Sequence, residues 1–397
     1  MDIQRTVTII IEEDEDLKST LHAFRAIQQK VSAVCFNQGK PLSALALHHA
    51  CYHQVKDSLN AQMTCSALRL VAGAYASAKS NKKPAQRPFL FTKACALFLI
   101  GKRGRDADVR SDGTLSIWTR AGRKHLSYTI PQDFKPLFEK AKELDSLTVI
   151  KRDDKLIGRL TLTLEAPEPA GILPVGIDLN ETNALVAVDP DGRELFISGK
   201  AVKVKNRRTA KTRARLQRKL AARKAEKKDT RSVRRLLKRL GRKQRNRTRT
   251  FAEATAKQLV QWAPKDALLV FEDLHLPRPE KDKLRGRSLR RRMSLWPRAL
   301  LRLCVQNKAQ ECGMSVAEVN PAYTSKNCSR CGLRGVRRRH TFTCPHCGFS
   351  DHADINAARN IRNRFTQLRL SGLPSISPEA LSPAGDEGKP PSSDGGH

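Results

Sequence analysis

The sequence contains no long apolar run, and this absence narrows the classes of protein that it can encode. No stretch approaches the roughly 20 consecutive apolar residues that a membrane-spanning helix needs. The first residues also differ from a secretory signal peptide, because the short apolar run at 6–11 is followed at once by acidic residues. We therefore expect a cytoplasmic protein that does not bind a membrane.

Acidic residues are scarce, since 39 Asp and Glu stand against 75 Lys and Arg, a formal net charge of +36. Such an excess repels itself in the compact state unless a polyanion neutralises it. Nucleic acid is the usual polyanion, and the release of its counterions then drives binding. A secreted cationic protein or a binder of membrane surfaces also carries positive charge, but the distribution of the basic residues favours nucleic acid. In a prokaryote we expect such a protein to associate with the nucleoid.

Tyrosine is rare as well, with four in the chain. No Tyr or Ser nucleophile motif is present, which argues against a recombinase-like transposase that acts on its own DNA ends. Tyr323 is expected to have a packing role. A catalytic site therefore has to be sought among other residue types.

The first part of the chain contains two kinds of pattern. Residues 3–13 alternate loosely between apolar and polar and predict a strand. Residues 15–80 have helical spacing of their apolar residues. Residues 87–166 predict β structure interrupted by turn signals, with a short helix at 133–144. This order predicts a small barrel or sheet with a helical lobe inserted in it or appended to it.

The prolines of 166–171 indicate a linker, and 172–198 predicts two or three strands. Residues 201–250 follow, with 23 Lys and Arg against two acids. The apolar residues of this stretch recur at helical spacing and predict a basic helical hairpin with a narrow apolar seam. The seam residues are Leu216, Leu220, Val233, Leu236, Leu237 and Leu240.

Strands and helices alternate in the rest of the chain. We predict a buried strand at 266–274, an amphipathic helix at 295–313 and a second strand at 314–321. A further helix is expected at 354–365. From Gly372 onward the prolines, glycines and serines are typical of a disordered tail. The fold class is therefore α+β with several domains.

Four of the ten cysteines form two CxxC pairs, Cys328 with Cys331 and Cys344 with Cys347. Each pair is followed by a glycine that suits a tight knuckle, and twelve residues separate the pairs. Four thiolates without an open position predict a closed structural Zn²⁺ site. His340 and His346 are interpreted as surface or outer residues. The remaining cysteines are expected to be buried thiols rather than disulfide partners; they are Cys35, Cys51, Cys65, Cys95, Cys304 and Cys312.

Three acids stand at the ends or starts of predicted elements: Asp178 and Glu272 end apolar strands, and Asp354 opens a helix. A carboxylate beside a buried strand is costly unless it is solvated, paired or bound to a cation. Three such acids can converge to hold two Mg²⁺ ions for phosphodiester hydrolysis. Taken one at a time, Asp178 also fits a turn residue, Glu272 the partner of an arginine, and Asp354 a helix N-cap. Asp273 is expected to point to the opposite face from Glu272 if the strand continues, and Asp351 is an alternative to Asp354.

Several motifs occur in an order that resembles the TnpB family, the transposon-encoded RNA-guided nucleases related to type V CRISPR effectors. The motifs are GIDLN at 176–180, FEDL at 271–274, TSKNCSRCG at 324–332, CPHCG at 344–348 and DHADINAARNI at 351–361. The resemblance covers roughly half of the chain, about 172–367, and it is specific. The N-terminal half is similar to the family only in its layout.

The resemblance implies a metal-dependent, RNA-guided DNA endonuclease. Asp178, Glu272 and Asp354 match the three acids of a RuvC-type, RNase H-like site with Mg²⁺, and the four cysteines match the family's zinc-binding segment. The guide would be an omega RNA from the transposon end, and the target would be double-stranded DNA beside a short adjacent motif. Base pairing would read the target, and the protein would read the adjacent motif and the shape of the heteroduplex.

The resemblance also implies a division of the chain into domains. These are a wedge-like β-barrel (1–14 and 82–166), a helical recognition lobe (15–81), a RuvC-like nuclease domain with the basic hairpin (172–322 and 349–368), a zinc ribbon that binds target nucleic acid (323–348) and a disordered tail (369–397).

Two other functions stay open at the level of sequence. One is a compact type V CRISPR effector with the same chemistry, which a neighbouring CRISPR array would distinguish. The other is an RNA-guided repressor that binds DNA without cutting it; the presence of all three acids argues against it.

Two further expectations concern basic and aromatic residues. A basic loop is predicted to gate or line the cleft, with Arg285, Arg287, Arg290, Arg291 and Arg292, and the ribbon arginines are candidates for backbone contacts: Arg330, Arg334, Arg337, Arg338 and Arg339. Trp118 and Trp296 have apolar neighbours and are expected in the core rather than as base-stacking platforms.

Overall fold

A computed structural model of the protein describes residues 1–101, 105–152, 155–273 and 297–371. It divides into two compact units, Met1–Ala166 and Pro167–His397. The division falls at the start of the proline-rich segment that the sequence marks as a linker.

The first unit contains a seven-stranded antiparallel sheet in the order β2-β6-β7-β1-β5-β4-β3. The strands are β1 (Asp2–Ile11), β2 (Cys95–Leu99), β3 (Ala107–Val109), β4 (Thr114–Thr119), β5 (Gly122–Thr129), β6 (Ala141–Arg152) and β7 (Lys155–Glu165). The edge strands β2 and β3 approach each other where the Asp106 N–H donates to the Leu99 carbonyl at 3.1 Å. The sheet is therefore a nearly closed barrel.

Three longer helices accompany this sheet: α1 (Glu15–Asn37), α2 (Ala44–Cys51) and α3 (Ala61–Ser80). Each begins after a residue whose side chain accepts a hydrogen bond from a backbone N–H of the first turn, namely Asp14, Ser43 and Asn60. Their apolar faces share one core with the sheet, in which Phe24 and Phe98 are fully buried. The predicted helices of 15–80 and the predicted first strand are confirmed.

Other predictions for this unit need correction. The helix predicted at 133–144 is the short α4 (Lys135–Glu139), because β6 begins at Ala141 and pairs along β7. Trp118 was expected in the core, but it is 39% exposed on β4. The reason is the alternation of the strand, which points Ile117 inward and its neighbour outward.

The second unit contains a five-stranded mixed sheet in the order β10-β9-β8-β11-β12. Its strands are β8 (Leu173–Asp178), β9 (Asn183–Val188), β10 (Glu194–Ser198), β11 (Ala267–Glu272) and β12 (Ser315–Val319). β8, β9 and β10 are antiparallel neighbours, whereas β8, β11 and β12 run parallel. These strands confirm the ones predicted from the apolar runs.

Helices cover both faces of this sheet, so the second unit has three layers. One face packs against α6 (Arg231–Trp262) and α7 (Arg298–Glu311), and the other packs against α8 (Ala353–Leu370). α8 lies so close to β8 that a Cβ added at Gly176 would be 2.0 Å from the Ala358 carbonyl oxygen. A glycine is therefore required at this crossing.

The basic hairpin consists of α5 (Lys200–Ala225) and α6, as predicted. Its seam is less buried than expected: Val233 is buried, Leu216, Leu220, Leu237 and Leu240 are half-buried, and Leu236 is 39% exposed. The Asp229 carboxylate accepts the Arg231 N–H at 2.9 Å, so the turn is stabilised by Asp229 rather than by the Thr230 side chain. Helices with so thin a seam leave nearly all of their basic residues exposed.

A small three-stranded sheet carries the cysteines. Its strands are β13 (Val336–Arg338), β14 (Thr341–Thr343) and β15 (Ser350–His352), and α8 follows directly. The tail predicted from residue 369 begins too early, because α8 continues to Leu370. The remaining tail, the predicted basic loop and Trp296 lie outside the described residues. No helix in the described ranges is long and apolar enough to cross a membrane.

Candidate functional site

Two of the three predicted acids are brought together by strand register. β8 and β11 run parallel with Val270 opposite Gly176, so Glu272 and Asp178 follow at the same edge of the sheet. Alternation along each strand also directs both side chains to one face. On β11, Leu269 packs on the α6 and α7 side, and Val270 packs on the α8 side, which is also the side of Glu272.

Asp354 arrives at this edge from the N-terminus of α8. Asp354 is 1% exposed, and its backbone N–H donates to Nδ1 of His352, the N-cap residue of α8, at 3.2 Å. One carboxylate oxygen accepts a hydrogen bond from the Asn183 amide of β9 at 2.8 Å. The other oxygen forms an ion pair with the Arg337 guanidinium of the cysteine ribbon at 2.7 Å. The three acids therefore reach one region from two strands and a helix.

The electrostatics of the site reflect this crowding. Burial raises the pKa of Asp178 to about 7, and the negative charges of Glu272 and Asp354 add to the effect. A hydrogen bond from the Asn180 side-chain amide at 3.1 Å and the charge of Arg337 act in the opposite direction. Asp178 is half-buried as a residue, yet its carboxylate is desolvated enough to disfavour the charged form.

Burial also raises the pKa of Glu272, against the hydrogen bond that the Thr324 hydroxyl donates to its carboxylate and against the charges of Arg298 and Arg364. Among the described residues, the three carboxylates do not all lie within 4.8 Å of one another. Their spread exceeds the size of a compact single-ion site.

The two alternative acids are engaged elsewhere. Asp351 forms an ion pair with Arg359, and its carboxylate accepts the His352 N–H. The charge of Asp273 acts on Arg302 of α7, on the opposite side of the sheet from α8. The structure therefore favours Asp354 over Asp351. The strand ends at Glu272, so the expectation for Asp273, which depended on a continued strand, stays a prediction.

The four cysteines form one compact cluster, with all Sγ atoms within 4.8 Å of one another. The Cys328–Cys347 and Cys331–Cys344 pairs are separated by 3.7 and 3.5 Å. Tetrahedral Zn²⁺ with Zn–S bonds of about 2.3 Å needs sulfur atoms about 3.8 Å apart, so the donor set fits this ion. Burial acts to raise the pKa of Cys344, but the backbone N–H groups of Cys347 and His346 outweigh it and lower the pKa to about 6. In the same cluster, the backbone N–H of Leu333 acts to lower the pKa of Cys331, but burial and the hydrogen bonds with the other three thiols raise it, so the fit to Zn²⁺ rests on the positions of the sulfur atoms.

Several residues of the site could not be chosen from the sequence. Asn180, Asn183 and Thr324 each bond one of the acids, and Arg337 pairs with Asp354. Asn180 and Thr324 lie within the quoted motifs, and Arg337 is one of the five ribbon arginines proposed to contact a nucleic-acid backbone, but its pairing with Asp354 was not predicted, and Asn183 carries no signal that separates it from other polar residues. The asparagines of α8 also have a role: Asn356, Asn360 and Asn363 bond backbone groups of residues 324–329 and hold the first cysteine knuckle on the helix.

The fold and the site define a basic, mixed α/β protein with acids at one sheet edge, a four-cysteine cluster and an exposed basic hairpin. Two protein-family models match this chain. The family "Probable transposase" (OrfB_IS605) matches residues 150–280. The family "Cas12f1-like, TNB domain" matches residues 299–361. Together they span most of the unit that carries the site.

Individual relatives agree with these matches. A TnpB-like protein of Aquifex aeolicus is 32% identical over 144 residues, 34% of this chain and 46% of that protein. A transposase relative in Methanocaldococcus jannaschii is 35% identical over 89 residues, 20% of this chain and 77% of that protein. The CRISPR-associated endodeoxyribonuclease Cas12f1 of Sulfoacidibacillus thermotolerans is 46% identical over 57 residues, 14% of each chain. The chain thus belongs to the TnpB family.

The matches cover parts of the relatives: the chain spans about half the length of the Aquifex protein, at 46%. Among solved structures, a mini-RNA-guided endonuclease, CRISPR-Cas_phi3, aligns over 95% of this chain and 94% of that chain with a TM-score of 0.49 and 12% identity.

Proposed function

We propose that this protein is an RNA-guided DNA endonuclease of the TnpB kind, with a RuvC-type, RNase H-like site formed by Asp178, Glu272 and Asp354. The observation that carries the proposal is the convergence of three carboxylates at one sheet edge, where burial, together with the charges of Glu272 and Asp354, raises the pKa of Asp178 to about 7. Like charges held together in this way are stable when a cation binds between them. The similarity to an endodeoxyribonuclease of the Cas12f1 type supports DNA as the substrate.

The chemistry of the donor set fits Mg²⁺, which prefers carboxylate oxygens. Asp178, Glu272 and Asp354 would hold it, in the two-ion arrangement that is common in enzymes acting on phosphodiesters. When bound, Mg²⁺ supplies a nucleophilic water and stabilises the oxygen that leaves the phosphodiester. Arg337 already places one positive charge on Asp354, which indicates how strongly this edge attracts cations.

The surrounding side chains orient the acids. The Asn180 amide bonds one oxygen of Asp178, the Thr324 hydroxyl bonds Glu272, and the Asn183 amide bonds Asp354. Each donor leaves lone pairs of its carboxylate free for a cation. Arg337 donates from the ribbon side, where it can also pair with a phosphate oxygen of the substrate.

The cysteine cluster would hold Zn²⁺ as a structural ion. The ribbon that it folds supplies Arg337 to the acids and is bonded to α8 by the asparagines, so metal binding and the geometry of the site are coupled. The role of the zinc is therefore to fix the ribbon beside the site.

The partners that we propose are a guide RNA, of the omega RNA type, and double-stranded target DNA beside a short adjacent motif. The exposed basic faces of α5 and α6 support backbone contacts with a polyanion, because 23 basic residues lie in 201–250 against two acids. Sequence would be read by base pairing, and the protein would contact the heteroduplex through its phosphates.

The test begins with the RNA. The protein is expressed together with its flanking genomic DNA and purified, and the RNA that copurifies is sequenced. The complex is then given a plasmid library with randomised bases beside a guide-matched target, in Mg²⁺. Guide-dependent cutting is expected from the wild type and not from Asp178→Asn. The matched control is Asp191→Asn, which removes an exposed acid of the same unit.

The outcomes separate the candidate functions. Cutting by the wild type and the control, with none by Asp178→Asn, supports the nuclease, and the origin of the RNA distinguishes a transposon-derived guide from a CRISPR guide. Specific RNA and target binding without cutting would indicate the RNA-guided repressor. Copurification of no discrete RNA would contradict the proposed partner.

A further inference from the structure

A second group of metal-ligating side chains lies beside the acids. His340, His352 and Asp354 each offer a ligand atom, and these atoms lie within 4.8 Å of one another. His340 is exposed at the turn between β13 and β14, His352 ends β15, and Asp354 opens α8. Neither histidine belongs to the proposed zinc site or to the proposed catalytic acids, although His352 is the N-cap residue of α8.

The local structure holds these side chains in position. The Ala353 N–H donates to the His340 carbonyl at 2.7 Å, which ties the hairpin turn to the start of α8. The two imidazole rings stack with their centroids 5.6 Å apart and an interplanar angle of 21°. Phe196 of β10 contacts the His352 ring edge-on at 5.1 Å. Both rings are therefore restrained before any ion binds, which reduces the entropy cost of binding.

We infer that His340, His352 and Asp354 form a second metal site, which takes a divalent transition ion of the zinc type. Two imidazoles with one carboxylate are a donor set of zinc and its neighbours, whereas Mg²⁺ prefers oxygen ligands alone. His352 Nδ1 and Asp354 Oδ2 lie 4.0 Å apart. Tetrahedral Zn²⁺ needs about 3.3 Å between such donors, so this pair has to close by less than 1 Å, and the His340 ligand atom lies within 4.8 Å of both.

An ion that binds here has to replace some of the hydrogen bonds that the ligand atoms make in its absence. Nδ1 of His352 accepts the Asp354 N–H at 3.2 Å, a long hydrogen bond that the ion exchanges for a metal bond. Asn183 occupies one lone pair of Asp354 Oδ2 and leaves the other free. Arg337 bonds Oδ1, the oxygen on the other side of the carboxylate. The Arg359 guanidinium forms ion pairs with Asp351 and Glu194.

The site shares Asp354 with the proposed catalytic set. An ion of the zinc type bound by the histidines withdraws Asp354 from Mg²⁺ and inhibits cleavage. This consequence rests on the proposed function, whereas the binding of the ion does not. The protein would then have a structural zinc in the cysteine cluster and a separate, inhibitory metal site at the start of α8.

Binding is measured first on tag-free protein without RNA, with the cysteine cluster filled by Zn²⁺. Calorimetric titration with Zn²⁺, and with Co²⁺ followed by its visible absorption, should detect one further equivalent. His340→Ala should weaken this binding by about 10-fold or more, since even outer-shell changes cost 10–100-fold. The matched control is His346→Ala, an exposed histidine of the same ribbon, which should bind as the wild type does. Absence of the further equivalent, or equal binding by His340→Ala, would overturn the inference.

Inhibition is measured next, as target cleavage in fixed Mg²⁺ with increasing free Zn²⁺. His340→Ala should cleave at the wild-type rate without added Zn²⁺ and should need about 10-fold more Zn²⁺ for half inhibition. Equal sensitivity of wild type and His340→Ala would mean that Zn²⁺ acts on the acids alone, and the inhibitory role would be wrong. Failure of the wild type to cleave in Mg²⁺ would count against the proposed function, and the titration would still decide the site.

Discussion

Both sheets of this protein bury carboxylates, but the two sheets neutralise them in different ways. In the seven-stranded sheet, Asp145 is 4% exposed and accepts a hydrogen bond from the Thr163 hydroxyl at 2.9 Å. Asp106 is 1% exposed and accepts the Leu99 N–H at 3.2 Å. Each of these two acids accepts a hydrogen bond from a neutral donor, and they lie in different parts of the sheet.

In the five-stranded sheet, the acids are gathered instead of separated. Asp178, Glu272 and Asp354 act on one another through their charges, and the one guanidinium paired with Asp354 comes from the ribbon. A buried acid by itself therefore says little about function in this protein. The combination of a buried acid with like charges at the same sheet edge is what distinguishes the candidate site from the structural acids of the first unit.

The largest expected effect is on cleavage activity, which should distinguish the acids of the candidate site from the structural acids of the first unit. Asp178→Asn should reduce guide-dependent cleavage by about 1,000-fold or more, because it removes a ligand that acts in concert with two others. Thermal unfolding in the absence of metal should be unchanged or shifted upward, since the substitution relieves repulsion. Wild-type cleavage by this variant would mean that Asp178 is a structural acid like Asp145.

The second expected effect concerns the ribbon. Cys328→Ala should remove the bound zinc and lower the folded yield, because the free energy of zinc binding is free energy of folding for such a site. Zinc content per chain is measured by atomic emission, with Cys312→Ala, a thiol outside the cluster, as the control. Normal zinc stoichiometry in Cys328→Ala would refute the four-cysteine site.

The third prediction uses pH. Because the pKa of Asp178 is raised from 3.8 to about 7 in the folded protein, the folded state keeps a proton that the unfolded state loses above about pH 4. The contribution of Asp178 to the free energy of unfolding of the metal-free protein should therefore fall as pH rises from about 4 to about 7, by at most about 4 kcal/mol. Above this window the contribution of Asp178 is constant.

The measurement is denaturant unfolding in a chelator at several pH values, compared with Asp178→Asn. The slope should be smaller in the variant, and Mg²⁺ should reduce the loss of stability in the wild type. Identical slopes in the two proteins would show that the Asp178 pKa is not raised by its surroundings.

The smallest expected effect is on a structural acid. Asp145→Ala should lower the free energy of unfolding by about 1–3 kcal/mol, because the buried Thr163 hydroxyl loses its acceptor. Cleavage per folded molecule should stay near the wild-type value. If Asp145→Ala lost most of its cleavage activity without losing stability, the distinction between structural acids in the first sheet and candidate catalytic acids in the second would be wrong.

Much of the second unit could be predicted because its signals are local. The strands around Asp178 and Glu272 are short apolar runs, and the cysteine spacing alone specifies a four-thiolate cluster. The first unit was less predictable in detail. β6 begins within residues that have helical spacing, and its position depends on pairing with β7 rather than on local preference.

The sequence by itself determined which residue types were available, the ends of the buried strands, the ligands of the cysteine cluster and the strong positive charge. Only the tertiary structure decided that Trp118 is exposed and that Asp351 pairs with Arg359. It also brought Asn183 to Asp354 across 171 residues and Arg337 across 17. The reason is physical: local preferences act over a few residues, whereas strand register and helix packing select which distant polar groups meet at the sheet edge.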